Sequence, residues 1–408
     1  MTAVRSASAV AIIGIVALLA AGCTRGGGDE AAASPGITDD SMVLGVTSPL
    51  SGHTAGPGRC VAAGLNAYLE AGNAAGGFEF GDGKTRKVTL EPFDDGYDPQ
   101  KALTNFQQMV SDDLFGMVGS LGTPTNLAIM PAAADEEFPQ ALLLTGATQF
   151  SSDQEANPWT IGFLPTYVTE GQGFGQMLVD RGEPLTVATL TQNDDAGAAY
   201  LEGLEQAIEG SDVEIVARNT YEATDTSVDA QVIELAESGA DVLFTVVFIT
   251  PLQIGVLQKA QQLGWLPEVF VPSPTSSPIE VLGPGAAGAY PAVYTPVFVK
   301  SPADPQFAED EDVKTFLDDM SQYSSDLTKT IVPHCVWSYV VGATLEEAFT
   351  KMTEPTRESF MKAIRQVSEL KAPMLLPGIE VDATDPTRGA VNQVLVWRYN
   401  GTAYVPVD

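Results

Sequence analysis

From about residue 41 onward, short apolar runs alternate with stretches of helical spacing, in a repeated strand-then-helix order. The run 42–47 (MVLGVT) leads into Ser48-Pro49-Leu50-Ser51-Gly52, after which Val61, Leu65, Tyr68 and Leu69 share one helical face until Gly76-Gly77 ends it. A second strand is predicted over 87–93. Asp98-Pro99 then supplies a helix cap and a proline at the first helical position, with Leu103, Phe106 and Val110 as the buried stripe. Strands over 116–120 and 141–145 flank a helix opened by Thr123-Pro124. Four strands with three helices between them imply a parallel sheet covered on both faces.

The pattern then starts again. After 159–165, helices near 169–181, 197–208, 227–238 and 252–263 alternate with strands over 186–191, 213–218, 241–248 and 268–272. From residue 288 it changes: an extended stretch to 299 precedes three helices over about 304–323, 333–352 and 355–370. Strand signals over 378–381 and 392–399 end at an Asn400-Gly401 turn before Tyr404-Val405.

Ahead of this body lies a different kind of segment. Arg5 precedes an apolar run over 9–21, broken only by Gly14, and Ala20-Ala21-Gly22 stand directly before Cys23. The run falls short of the roughly 20 apolar residues that span a bilayer, so 1–22 reads as a secretory signal segment. Leu19-Ala20-Ala21-Gly22-Cys23 resembles the bacterial lipobox, with Ala20 where leucine is commoner. That resemblance implies cleavage before Cys23 and a lipid anchor on its thiol, with two acyl chains sufficient for stable anchoring. The alternative is a secreted protein cut nearby, with Cys23 incidental. Residues 23–40, rich in Gly, Ala, Asp and Pro without apolar periodicity, read as a flexible tether of roughly 20–25 Å reach.

Charge and composition exclude several function classes. Fifty-three acidic residues against 20 basic ones leave a net charge of −33 with no basic cluster, which argues against nucleic acid or anionic lipid as partners. His53 and His334 are the two histidines, and no Cys or His spacing suits zinc, so neither a metal nor another cofactor is expected. No G-x-S-x-G elbow or P-loop is present, and the chain is not expected to be an enzyme. Besides Cys23 there are Cys60 and Cys335, which outside the cytoplasm are expected to pair.

The motif order Ser48-Pro49-Leu50-Ser51-Gly52, Asn73-Ala74-Ala75-Gly76-Gly77, Asp94-Asp95-Gly96-Tyr97-Asp98-Pro99, Gly119-Ser120, Thr145-Gly146-Ala147-Thr148 and Gly239-Ala240-Asp241-Val242 resembles a known family. It is that of the substrate-binding proteins of ABC importers of the branched-chain amino acid-binding (Leu/Ile/Val-binding) type, with the type I periplasmic binding protein fold. The resemblance covers nearly all of the chain beyond residue 40. It implies an α/β architecture of two doubly wound parallel-sheet lobes joined by three hinge crossings near 163–166, 292–296 and 376–379. Lobe one would comprise 41–163 plus 294–377, and lobe two 164–293 plus 378–408. The loops after the strands would line a ligand cleft between them.

The resemblance also suggests ligand contacts. Gly122 and Thr123 stand where the family presents a hydroxyl to the ligand carboxylate, at a helix start suited to an anion; a plain helix cap is the other reading of Thr123. Gly146, Ala147 and Thr148 match a second carboxylate-contacting loop, or are turn residues. Phe248 falls near a tyrosine at the mouth of lobe two, or belongs to the core. His53 lies in the loop that faces the cleft, or on the surface.

Two departures weaken an amino acid ligand. Asn193-Asp194-Asp195-Ala196-Gly197 carries Ala196 where amino acid binders have an aromatic, and Pro272-Ser273-Pro274-Thr275-Ser276 lacks the acid that holds the ammonium group. An ammonium buried without a counter-charge is costly. Asp194 or Asp195 would substitute for it, or serve as a solvated cap. Cys60 and Cys335 both fall in lobe one, which favours a disulfide over a free Cys335 thiol beside His334.

The expected function is therefore an extracytoplasmic receptor, monomeric and lipid-anchored, that delivers a small polar solute (carboxylate, amino acid-like or amide) to an ABC permease. A sensing lipoprotein without a transport role is the alternative on the same scaffold.

Overall fold

The computed structural model describes residues 32–277, 288–324 and 333–407. The signal segment 1–22, Cys23 and the tether as far as residue 31 lie outside the described residues. Part of the expected tether is not a tether. Ile37 is buried in the core, the Ser34 N–H donates to the Pro355 carbonyl (2.9 Å), and the Thr38 carbonyl accepts from Arg86 Nε (2.6 Å). A single isoleucine among Gly, Pro and Asp shows no periodicity, yet one buried side chain with backbone bonds pins the segment to the body.

The first half is built from β1 (Ser41–Ser48), α1 (Ala55–Ala75), β2 (Phe78–Glu79), β3 (Thr85–Asp94), α2 (Pro99–Ser111), β4 (Gly116–Val118), α3 (Thr123–Asp135), β5 (Gln140–Leu143) and β6 (Thr160–Gly162). They form a six-stranded sheet in the order β2-β3-β1-β4-β5-β6, parallel except for β2. Asp98 caps α2 by accepting from the Gln100 and Lys101 N–H groups, as its place before Pro99 predicts.

The second half contains α4 (Tyr167–Val179), β7 (Leu185–Gln192), α5 (Asp195–Ile208), β8 (Val213–Tyr221), α6 (Asp229–Ala236), β9 (Val242–Val246), α7 (Thr250–Gln262), β10 (Glu268–Phe270) and β11 (Val293–Val297). The chain then returns through α8 (Glu311–Tyr323), α9 (Pro333–Lys351) and α10 (Arg357–Ile364), and ends with β12 (Leu395–Tyr399) and β13 (Tyr404–Pro406). The second sheet runs β13-β12-β11-β10-β9-β7-β8, with the two C-terminal strands antiparallel. β9 (VLFTV) is buried at all five positions, as a central strand must be. Each large apolar side chain hidden there contributes about 1.5–3 kcal/mol.

The chain passes between the sheets first at 163–166, between β6 and α4. The second passage, expected at 292–296, falls inside β11, so the chain leaves the second sheet only after Val297. Pro296 is tolerated within β11 because the parallel pairing with β10 ends at Tyr294, so the proline lies beyond it and faces only Val396 of the antiparallel β12. Leu376 donates to the Phe298 carbonyl (3.0 Å), Val391 to that of Phe163 (2.8 Å), and β12 begins only at Leu395. The 376–394 stretch thus runs beside the other two passages instead of crossing at once.

α1 and α9 lie in close contact in the first half. A Cβ at Gly64 would sit 2.0 Å from the Cys335 carbonyl oxygen, so only glycine permits the approach. Cys60 and Cys335 join these helices in a disulfide of 2.06 Å, which leaves no free thiol beside His334.

Candidate functional site

The loop between β3 and α2 is shaped by its two aspartates. Asp94 accepts from the N–H groups of Leu50 (2.9 Å), Ser51 (3.1 Å) and Gly96 (2.9 Å) and from Ser51 Oγ (2.6 Å). The Ser51 bond leads in holding its carboxyl below the usual range. Asp95 accepts from the Tyr97 N–H (2.8 Å) and Thr47 Oγ1 (3.0 Å), and burial pushes its carboxyl up to about 6. These bonds hold Tyr97 at a φ of +65°, a left-handed conformation that a bulky residue adopts only when its surroundings impose it. The imposed turn sends the Tyr97 ring into a cavity between the lobes.

Gly122 does the same for the start of α3. It is the N-cap residue at φ +109°, and a Cβ there would meet the Thr125 hydroxyl at 2.7 Å and the Tyr97 ring at 2.8 Å. Thr123 is therefore the first helical residue rather than the cap, because the kink before the helix needs a glycine. Its hydroxyl pairs with that of Thr145 (2.7 Å), and both face the ring hydroxyl of Tyr167 at the start of α4.

The cavity is narrow and partly open to solvent, with about 40 Å³ of room for the centres of water-sized spheres. Lobe one supplies Thr54, Tyr97, Leu121, Gly122, Thr123, Leu144 and, from the first turns of α9, His334 and Trp337; lobe two supplies Leu164, Tyr167, Gln192, Ala196, Phe248, Ile249 and Pro274. Among the described lining residues none carries a charge. Burial raises the hydroxyls of Tyr97 and Tyr167, keeping them protonated, and holds the His334 imidazole down at about 3, keeping it neutral. Gln192 is bound at both ends, accepting from Tyr221 (2.8 Å) and donating to Asp194 (2.5 Å).

Gly122, Thr123 and Phe248 thus lie in the wall. Asp194 caps α5 by accepting from the Gly197 N–H (3.0 Å) and reaches the cavity only through Gln192. Gly146 and Ala147 stand behind the wall: the Gly146 carbonyl accepts from the Tyr167 N–H, and the Ala147 N–H donates to Thr145 Oγ1 (3.2 Å). Thr148 faces a different cavity, with Thr166 and Arg388, because the 3-10 turn it begins carries it past the strand end; Thr145 takes the place beside Thr123. His53 is exposed and its neighbour Thr54 lines the cavity.

Sequence reasoning missed Tyr97, Tyr167, Gln192, His334 and Trp337. The Gly96-Tyr97 pair in a turn was the one local signal; the others reach the site from element ends far apart in the chain. It also missed Glu170 of α4, whose fully buried carboxyl accepts from the Tyr200 hydroxyl and Ser273 Oγ (2.8 Å). Burial pushes it up to about 7. Ser273 lies in the segment where amino acid binders carry an acid, and here that segment faces a carboxyl packed behind the Tyr167–Tyr200 ring pair, outside the cavity wall.

The model of the periplasmic binding protein family matches residues 41–403. A fatty acid ABC transporter substrate-binding protein from Thermomonospora curvata has the same fold (TM-score 0.75, 19% identity), over 92% of this chain and 94% of its own. So does a possible leucine/isoleucine/valine-binding protein from Rhodopirellula baltica SH 1 (TM-score 0.73, 19% identity, 91% of this chain and 97% of its own). An ABC transporter solute-binding protein from R. palustris, in complex with benzoate, is similar over 90% of this chain and 95% of its own (TM-score 0.73, 16% identity). Among curated proteins none matches the sequence. With a family match that runs through both lobes and the cavity between them, the chain belongs to the periplasmic binding protein family, on the type I fold of the leucine/isoleucine/valine-binding substrate-binding proteins.

Proposed function

We propose that this protein is an extracytoplasmic solute receptor, monomeric and anchored through a lipid on Cys23, that closes around one small molecule and delivers it to an ABC importer. The observation that carries the reading is a cavity whose wall is shared by both lobes, so that a ligand touching both favours the closed form by what it gains there. The uncharged wall, with the rings of Tyr97, Tyr167, Phe248 and Trp337 among its aliphatic side chains, supports a ligand with an apolar body. The first turn of α3, with Gly122 and Thr123 in the wall, supports a carboxylate or amide at one end. A free amino acid fits poorly, since no carboxylate is among the described lining residues and the buried carboxyls of Asp95 and Glu170 both lie outside the wall. The ligands in the names of the structural neighbours, a fatty acid and benzoate, are of the same apolar-bodied, acid-headed kind.

A thermal-shift panel of aromatic and aliphatic carboxylates, amides and amino acids tests this. A solute at a hundred times its Kd stabilises the folded form by about 2.7 kcal/mol and raises Tm accordingly. If no solute raises Tm, the receptor reading fails. For the anchor, Cys23→Ala is expected to move the protein from the membrane fraction to the soluble one.

A further inference from the structure

Buried polar atoms in folded proteins almost always have partners, and an exception in a cavity wall points to something that comes and goes. His334 is such an exception. It is 3% exposed, it lines the interlobe cavity, and its Nδ1 atom has no hydrogen-bond partner among the described residues. Two polar neighbours that share the wall are already engaged: Thr123 with Thr145, and Gln192 with Tyr221 and Asp194.

The imidazole is also held in place. His334 follows Pro333 in the first turn of α9, the next residue is tied to α1 through the Cys60–Cys335 disulfide, and its ring packs on Trp337 at 4.6 Å. Trp337 is itself stacked against Phe298 at 5.5 Å. A ring clamped in this way gives up little freedom when a ligand bonds to it.

Building on the receptor reading above, we propose that His334 is the specificity-determining residue of the cavity. Through Nδ1 it bonds a neutral hydroxyl on a flat aromatic ligand that the Tyr97, Tyr167 and Phe248 rings enclose. A neutral imidazole either accepts from or donates to a hydroxyl, so it makes one good bond without adding charge to an uncharged wall. A site built to bond a hydroxyl rejects the analogue that lacks it, because the protein atom is then left unpaired.

The test compares benzoate with 3-hydroxybenzoate and 4-hydroxybenzoate by calorimetry, on the wild-type chain and on His334→Phe. One hydroxylated probe is expected to bind the wild type at least tenfold more tightly than benzoate, and in the variant the ratio of the two affinities is expected to fall below threefold. Because the variant can lose its fold, a second reading uses the wild type alone. With two histidines in the sequence, ¹⁵N-labelled imidazole signals separate readily, and the preferred probe is expected to shift the His334 ring nitrogens and leave those of His53 in place. Equal affinity for the three probes, or binding with the His334 signals unmoved, overturns the assignment while the receptor reading stands. No binding by any of the three also overturns it; the receptor reading falls as well only if the wider solute panel raises no Tm.

Discussion

Glu170 ties the stability of lobe two to pH, and Glu170→Gln isolates the effect. Burial is the leading cause that moves this carboxyl from 4.5 to about 7, and the hydroxyls of Tyr200 and Ser273 offset only part of it. A raised acid binds its proton more tightly folded than unfolded. Its ionisation therefore has no effect below pH 4.5, destabilises progressively between 4.5 and 7, and adds nothing further above 7. At about 1.4 kcal/mol per unit, the full effect is about 3 kcal/mol, and the part that falls between pH 5 and pH 8 is about 2–3 kcal/mol. Glutamine keeps the contacts, since its carbonyl accepts from one hydroxyl while its amide donates to the other. Urea unfolding followed by tryptophan fluorescence at pH 5 and pH 8 reads the difference. The variant is expected to gain stability relative to wild type at pH 8 and to lose most of that advantage at pH 5. Parallel profiles for the two proteins would refute the reasoning. Asp95→Asn is the companion case, with the same sign over the window from 3.8 to about 6.

Gly122→Ala places a side chain at φ +109° against Thr125 and Tyr97, and is expected to lower stability by more than about 1 kcal/mol and to weaken solute binding with it, read by Tm and calorimetry. Gly64→Ala forces α1 away from α9, an overpacking expected to cost about 1–3 kcal/mol in chemical denaturation. Replacing both Cys60 and Cys335 by serine removes a link between residues 275 apart, for which chain entropy sets an upper limit of about 5–6 kcal/mol; a clear fall in Tm is expected. Both cysteines are fully buried, so a reductant applied to the native protein is expected to free no thiol until unfolding begins, as counted by a thiol reagent.

The alternation of strands and helices was legible from residue to residue because each element declares its own period. Asp98-Pro99 marked the start of α2, and the mostly apolar run 241–248 marked a buried strand, without reference to anything distant. Thr123 and Phe248 were legible as strand-end positions, and both reach the cavity. Thr148 and His53 were assigned by the same rule and do not line it, since a rule about loops cannot say which way a turn leaves its strand. Ile37 was read as tether because its partners stand far along the chain.

What the sequence determined by itself is the α/β alternation, the doubling of that pattern into two series, the acidic surface and the pairing of two cysteines, all of which depend on local period or on composition. The tertiary structure alone decided the character of the site. Tyr97, Tyr167, Gln192, His334 and Trp337 come from four different elements and loops across both lobes, and a side chain acquires its role there from what it is packed against. An unpaired imidazole and a carboxyl raised by burial are properties of surroundings, and surroundings exist only once the chain has closed on itself.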